Sequence, residues 1–236
     1  RVAASGQVDV KKLTDWLSVT QPLPVSGLIP YQLQLNLGGD DSQLMVNSNL
    51  KGVAVDLPAP FGMTADVGRD TMFRMTLQGQ ERRYWARYGE LAGFTFAASP
   101  ARLADGRGEL FLGNGEAALP GAKGLRVRGS LSELDVGPWK DLVDKYAGQD
   151  PGGSAKQLLS SVDVKVGKLS GIGTTLDQAS VQLNRKAAAW ALQLDSQQVK
   201  GSVGIPDAKG TPKAVNLQTV RLPAPDPTVQ ADENSP

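Results

Sequence analysis

Apolar and polar residues alternate with a period of two over most of this chain. Tyr31, Leu33, Leu35 and Leu37 alternate with Gln32, Gln34 and Asn36, which predicts a strand with one dry and one wet face. Gly38-Gly39-Asp40-Asp41 supplies turn chemistry, because glycine reaches positive φ without a steric penalty. Leu44, Val46, Ser48 and Leu50 form the returning strand. Val53, Val55 and Leu57 follow, stopped by Pro58 and Pro60, which have no N–H to give a ladder. The alternation returns at Phe73, Met75 and Leu77, at Tyr84, Ala86 and Tyr88, at Phe94 and Phe96, at Leu110 and Leu112, and at Leu125 and Val127. In the last third it reappears at Val162–Val166, Val181–Leu183, Trp190–Leu194, Val199–Val203 and Val215–Leu217. Short connections favour antiparallel hairpins over parallel crossovers.

Three stretches read as short helices. Lys11–Leu17 is one, and Trp139–Tyr146 is another, with Pro138 where a first-turn proline is tolerated. Ser154–Ser161 is the third, with Ser154 as its cap. Together they are too few to cover so many strands. Two internal echoes suggest a repeated unit. Val8-Asp9-Val10 followed by Trp16 resembles Leu134-Asp135-Val136 followed by Trp139, and Leu57-Pro58-Ala59-Pro60 recurs as Leu222-Pro223-Ala224-Pro225. The expected organisation is a first β-rich repeat over residues 1–147, a partial second over 148–222, and a flexible tail over 223–236.

Composition narrows the chemistry. The 236 residues carry a net charge of +1, with both signs interspersed, so no strong field points to nucleic acid or an anionic membrane. There is no Cys and no His, which removes disulfides, thiol nucleophiles, histidine acid–base catalysis and most zinc sites. Carboxylate chemistry is the catalytic route left, and glycan hydrolysis needs two carboxyl groups about 5–10 Å apart. Asp40 and Asp41 sit in a turn where acids are solvated, and Asp9 and Asp135 precede helices, where capping is the simpler role. Gly148 and Gly153 have the spacing of phosphate-loop glycines, but position 154 is Ser where that loop needs Lys. Gly106-Arg107-Gly108 and Gly113-Asn114-Gly115 read as hairpin turns. Arg82, Arg83 and Arg87, with Tyr84, Trp85 and Tyr88, could stack and hold single-stranded nucleic acid. A strand with a core aromatic face and solvated arginines accounts for the same residues.

Longer segments resemble a known family. Asn49–Gly62, reading NLKGVAVDLPAPFG, is similar to a segment of the YhdP proteins of the AsmA-like superfamily in Gram-negative envelopes. Trp190–Ser196 with Val199–Pro206 is similar to a recurrent strand pair of that superfamily, and Val162–Leu169 with Leu176–Leu183 resembles what precedes it. The resemblance implies a mainly β fold: a long, curved, mostly antiparallel sheet with an apolar concave face and two or three short helices. It implies a non-enzymatic segment, without cofactor or metal, of an inner-membrane-anchored periplasmic protein that conducts phospholipid acyl chains and maintains the outer membrane. The implied partners are phospholipid and other envelope proteins, with no nucleic acid, and membrane contact through parts outside this segment. The chain starts with Arg1 and shows neither a signal peptide nor a span, so an anchor is expected elsewhere.

The residues expected to line an acyl path are Leu33, Leu35, Leu37, Leu44, Val46, Val55, Phe73, Met75 and Leu77. Alternation alone leaves two solutions, an open groove filled by lipid or a closed sandwich. It also leaves a structural or protein-interaction β-module, and a carboxylate-dependent glycan hydrolase, as other functions.

Overall fold

In the computed structural model the described residues are 1–16, 19, 23–39, 42–147, 158–186, 189–208 and 211–221. The elements, in chain order, are β1 (Val2–Asp9), α1 (Val10–Trp16), β2 (Val25–Asn36), β3 (Gln43–Ser48), β4 (Val53–Val55), β5 (Thr71–Thr76), β6 (Arg82–Tyr88) and β7 (Ala92–Ser99). They continue with β8 (Arg102–Leu112), β9 (Gly124–Asp135), α2 (Val136–Ala147), β10 (Leu159–Ser170), β11 (Leu176–Lys186), β12 (Ala189–Asp195), β13 (Val199–Pro206) and β14 (Ala214–Val220).

The strands form one unclosed sheet that runs in chain order from β1 to β14, with only β4 off the path, paired to the start of β2. Chain-order pairing is what a succession of short connections produces. β9 and β10, on either side of residues 147 and 148, are themselves paired, so the sheet continues across that point. Extensive strand–strand contact occurs only between hydrogen-bonded neighbours. Among the described residues no second sheet lies face to face with the first. All the described strands are thus part of one continuous sheet, not of two separate sheets joined as a sandwich.

Three local expectations are corrected. The pairs β8–β9 and β9–β10 are parallel, not hairpins. Each therefore needs a chain segment that travels back along the sheet. Residues 113–123 do this for the first pair. The second pair is joined through α2. Gly106 and Gly108 are not turn residues but lie inside β8. A Cβ at Gly106 would meet the Phe96 ring at 2.2 Å, and one at Gly108 would meet it at 2.6 Å, so the glycines make room for that ring. Leu159, Ser160 and Ser161, expected in a third helix, are strand residues of β10. The rest of that helix at 154–157, the acids Asp40 and Asp41, the glycines Gly148 and Gly153, and the tail 223–236 lie outside the described residues.

Both copies of the Asp-Val echo are strand ends that run into helices. The Asp9 carboxylate accepts from the Lys11 and Lys12 N–H groups at 2.9 and 3.3 Å, and Asp135 accepts from the Gly137 N–H at 3.0 Å. Each satisfies donors that the first helical turn leaves free.

Candidate functional site

Because residues paired across strands share a side, the registers trace each face of the sheet. One row runs Ala4, Leu33, Val46, Phe73, Ala86, Phe94, Leu110, Val127, Val162, Leu183, Leu192, Val203, Val215. It crosses every strand of the main path without one polar side chain. At a strand spacing of about 4.8 Å it is roughly 60 Å long. Beside it runs a second row, Val2, Leu35, Leu44, Met75, Tyr84 and Phe96.

Six of the expected lining residues fall on these rows: Leu33, Leu35, Leu44, Val46, Phe73 and Met75. All six are half-buried. Leu77 follows the end of β5, held by its N–H to the Ser42 carbonyl at 2.8 Å, and is also half-buried. Leu37 lies beyond the end of β2 and is 63% exposed. Val55 is not on the rows: it sits on β4, opposite Val25, and is buried. The prolines that follow at 58 and 60 keep that strand short, which alternation alone does not reveal.

The opposite face is polar along most of its length. One row there reads Ser5, Gln32, Asn47, Met72, Arg87, Gly93, Phe111, Arg128, Asp163, Gln182, Gln193, Ser202, Asn216. The basic–aromatic cluster on β6 splits between the faces. Tyr84 and Tyr88 go with the apolar rows, whereas Trp85 is stacked by the Arg74 guanidinium, 4.2 Å from the ring centre. Arg87 donates to the Gly115 carbonyl and to Asn114 Oδ1 at 3.2 and 2.7 Å, holding the 113–123 crossover against the polar face.

That crossover buries Glu109 completely. The carboxylate accepts from Arg126 Nε, from Arg128 Nε at 2.9 Å and Nη2 at 3.2 Å, and from the Ala118 N–H at 3.0 Å. Burial pushes the carboxyl's pKa up, but the Arg128 hydrogen bond, the Ala118 N–H, and the charge and hydrogen bond of Arg126 together outweigh it, holding it below the ordinary value. Through the Ala118 N–H, and through Arg126, which also donates to the Ala118 carbonyl, the cluster ties the crossover to β8 and β9. Its sequence signal is slight: two arginines two residues apart on one strand and a single acid on the next.

One end of the apolar face is partly roofed. The Tyr88 hydroxyl donates to the Phe61 carbonyl at 2.7 Å, and Arg69 donates to the same oxygen at 3.0 Å while lying over the Tyr88 ring. The Phe61 ring meets Trp139 of α2 edge-on, with centroids 5.7 Å apart. Val136, on the first turn of α2, packs on a buried cluster of Val164, Val166, Leu169, Leu176 and Ala179. Among the described residues no group of three acids could hold a metal, and no helix is long and apolar enough to cross a membrane.

A family model described as YhdP protein matches residues 1–236, the whole chain. No curated protein and no solved structure matches it. An unclosed, mostly antiparallel sheet with one apolar face agrees with what the sequence resemblance implied. The chain belongs to the YhdP family.

Proposed function

We propose that this chain is a non-enzymatic segment of an inner-membrane-anchored periplasmic protein, and that its apolar face binds and conducts phospholipid acyl chains in maintaining the outer membrane. One observation carries the reading: a row of apolar residues crosses every strand of the sheet's main path, and from Leu33 to Val203 these residues stay half-buried, not sealed in a core. Each methylene that leaves water for such a surface contributes about 0.8 kcal/mol, so acyl chains are the natural filling. Family membership supports a lipid-transfer type of envelope protein. Division into a repeat over 1–147 and a partial repeat over 148–222 belongs to the same proposal, supported by the two Asp-capped strand–helix junctions.

A photoreactive side chain at Met75 in the Leu35→Asp variant, or at Leu35 in Met75→Lys, tests this. The parent chain should give phospholipid adducts at both positions. The charged variants should stay folded, since an uncovered face lets the charge hydrate, yet lose the adducts. A parent that forms none in lipid-containing extracts overturns the reading.

A structural β-module of the envelope is the second reading. It is favoured by β14, which has no strand on its outer edge among the described residues and on which Val215, Leu217 and Val220 are 51–59% exposed. Such an edge can receive another strand. Protein adducts in place of lipid adducts would support it.

A further inference from the structure

Away from the irregularity at Gly167 and Gln178, where the registers cease to define a side, two arginines share a side with the apolar rows. Arg82 shares a side with Tyr84, because Arg82 lies opposite Ala98 and Tyr84 opposite Phe96. Arg185 shares a side with Leu183, because Leu183 lies opposite Leu192 and Arg185 opposite Trp190. Both stand at the same margin of the sheet, Arg82 at the first residue of β6 and Arg185 one residue before the end of β11.

Their surroundings differ. Arg185 donates to both oxygens of Asp207 at 2.6 and 2.7 Å and lies over the Trp190 ring at 5.1 Å. Its charge is met. Arg82 has no such partner: none of the ion pairs among the described residues involves it, and its Nε is buried without an acceptor. The acid next to it in sequence, Glu81, is held by Arg107, with its Oε2 2.9 Å from Arg107 Nη2. A guanidinium half-buried among apolar and aromatic groups with a donor unsatisfied is costly unless an anion completes it. Arginine's planar fork matches the oxygens of a phosphate.

We propose that Arg82 binds the phosphate of a phospholipid headgroup at the margin of the apolar face. The acyl chains lie on Tyr84, Met75 and their neighbours, and the guanidinium reaches the headgroup where the sheet meets water. This rests on the acyl-chain reading above and adds to it a fixed position for the polar end of the lipid.

The test uses the 236-residue chain and three probes: diheptanoyl phosphatidylglycerol, diheptanoylglycerol with the same chains but no phosphate, and glycerol phosphate with no chains. Arg82→Gln should weaken the phospholipid roughly tenfold, the scale of a lost charge-assisted hydrogen bond. It should leave diheptanoylglycerol unchanged, and Arg82→Lys should recover part of the loss. Circular dichroism and the thermal midpoint confirm that each variant is folded. If both lipids bind the parent and Arg82→Gln alters neither, or both equally, the phosphate contact is wrong while the acyl path stands. If glycerol phosphate binds as tightly as the phospholipid, and through Arg82, the site serves free phosphate and the headgroup assignment fails. A parent that takes up neither lipid overturns the acyl-chain reading and this proposal with it.

Discussion

Strands β2–β8 and strands β9–β11 present the same apolar face and treat it differently. Phe94 and Phe96 on β7 remain half-buried, while the residues between and beside them that face the other way, Gly93, Thr95 and Ala97, are buried by the 113–123 crossover. On β10 and β11 the apolar side is closed instead: Val166, Leu169, Leu176 and Ala179 are 0–6% exposed. Both regions have nearly continuous alternation of hydrophobic residues. The chain between strands makes the difference. Within β2–β8 the segment between β4 and β5 roofs the face only near Tyr88, whereas α2 brings Val136 onto the buried cluster of β10 and β11. Alternation therefore fixes which side is apolar, and the connections decide whether that side is a core or a surface.

A second feature separates the regions. Gln178 has φ +51°, and across from it Gly167 lies so close to β9 that a Cβ would meet the Ser132 carbonyl at 2.5 Å. Here the period of two breaks. Val166 and Leu169 are three residues apart, as are Leu176 and Ala179, yet all four join one cluster. A non-glycine residue in the left-handed region marks an irregularity of this kind and re-aims the side chains after it.

The largest expected effect breaks the closed region. Leu176→Asp puts an unpaired charge at a site with no exposure, and should cost several kcal/mol, enough to unfold β9–β11. Leu33→Asp, with the same chemistry on the uncovered face, should cost about 1 kcal/mol. Denaturant midpoints of the two variants measure the gap. Equal losses would mean that β2–β8 are covered as thoroughly as β9–β11, and the distinction between the regions would fall.

Next comes Glu109→Gln, which leaves Arg126 and Arg128 without their shared anion and should cost about 3 kcal/mol at neutral pH. Because the folded carboxyl titrates below its ordinary value, its stabilisation is complete above the unfolded pKa of about 4.3 and is lost as pH falls through the lower folded value. Parent and variant should therefore converge in urea midpoint as pH drops below about 4. A constant gap down to pH 3 would mean that the carboxylate contributes through packing alone.

Much of the fold was legible in the sequence, and the reasons for the rest are specific. Leu33, Leu35, Leu44, Val46, Phe73 and Met75 were readable as one face because side-chain direction alternates along a strand and pairing keeps it. The two parallel pairs were not. Asp135-Val136 specifies a capped helix start, but nothing local states whether the next strand returns beside the last or runs with it. Val55 was misplaced because a strand of three residues can leave the main sheet without disturbing its own alternation. The role of Arg82 was hidden among its neighbours: Arg82, Arg83 and Arg87 look alike in sequence, and only the register puts the first on the apolar face.

A smaller effect tests the roof that joins the regions. In a double-mutant cycle, Phe61→Ala and Trp139→Ala should show about 1 kcal/mol of coupling, the usual worth of an edge-on aromatic pair. Zero coupling would separate α2 energetically from the segment between β4 and β5.

The smallest effect compares the two capped helices themselves. Asp9 and Asp135 do the same local work, each accepting from N–H groups of the first turn. Asp135 has a further setting. The β10–β11 turn approaches it so closely that a Cβ on Gly171, where φ is +83°, would come 2.3 Å from its Oδ1 and 2.4 Å from the Gly137 nitrogen. Loss of this carboxylate therefore loosens α2 and its seat on the closed cluster together, and Asp135→Ala should cost about 1 kcal/mol of global stability. Helix α1 has 7 residues, and its main contacts among the described elements are with β1 and β2 at the sheet's edge. Asp9→Ala should fray that helix, raising amide exchange at Lys11 and Lys12, while the denaturation midpoint moves by less than about 0.5 kcal/mol. If the two substitutions cost the same, helix capping alone sets their worth, and α2 is no more tied to the closed region than α1 is to the open one.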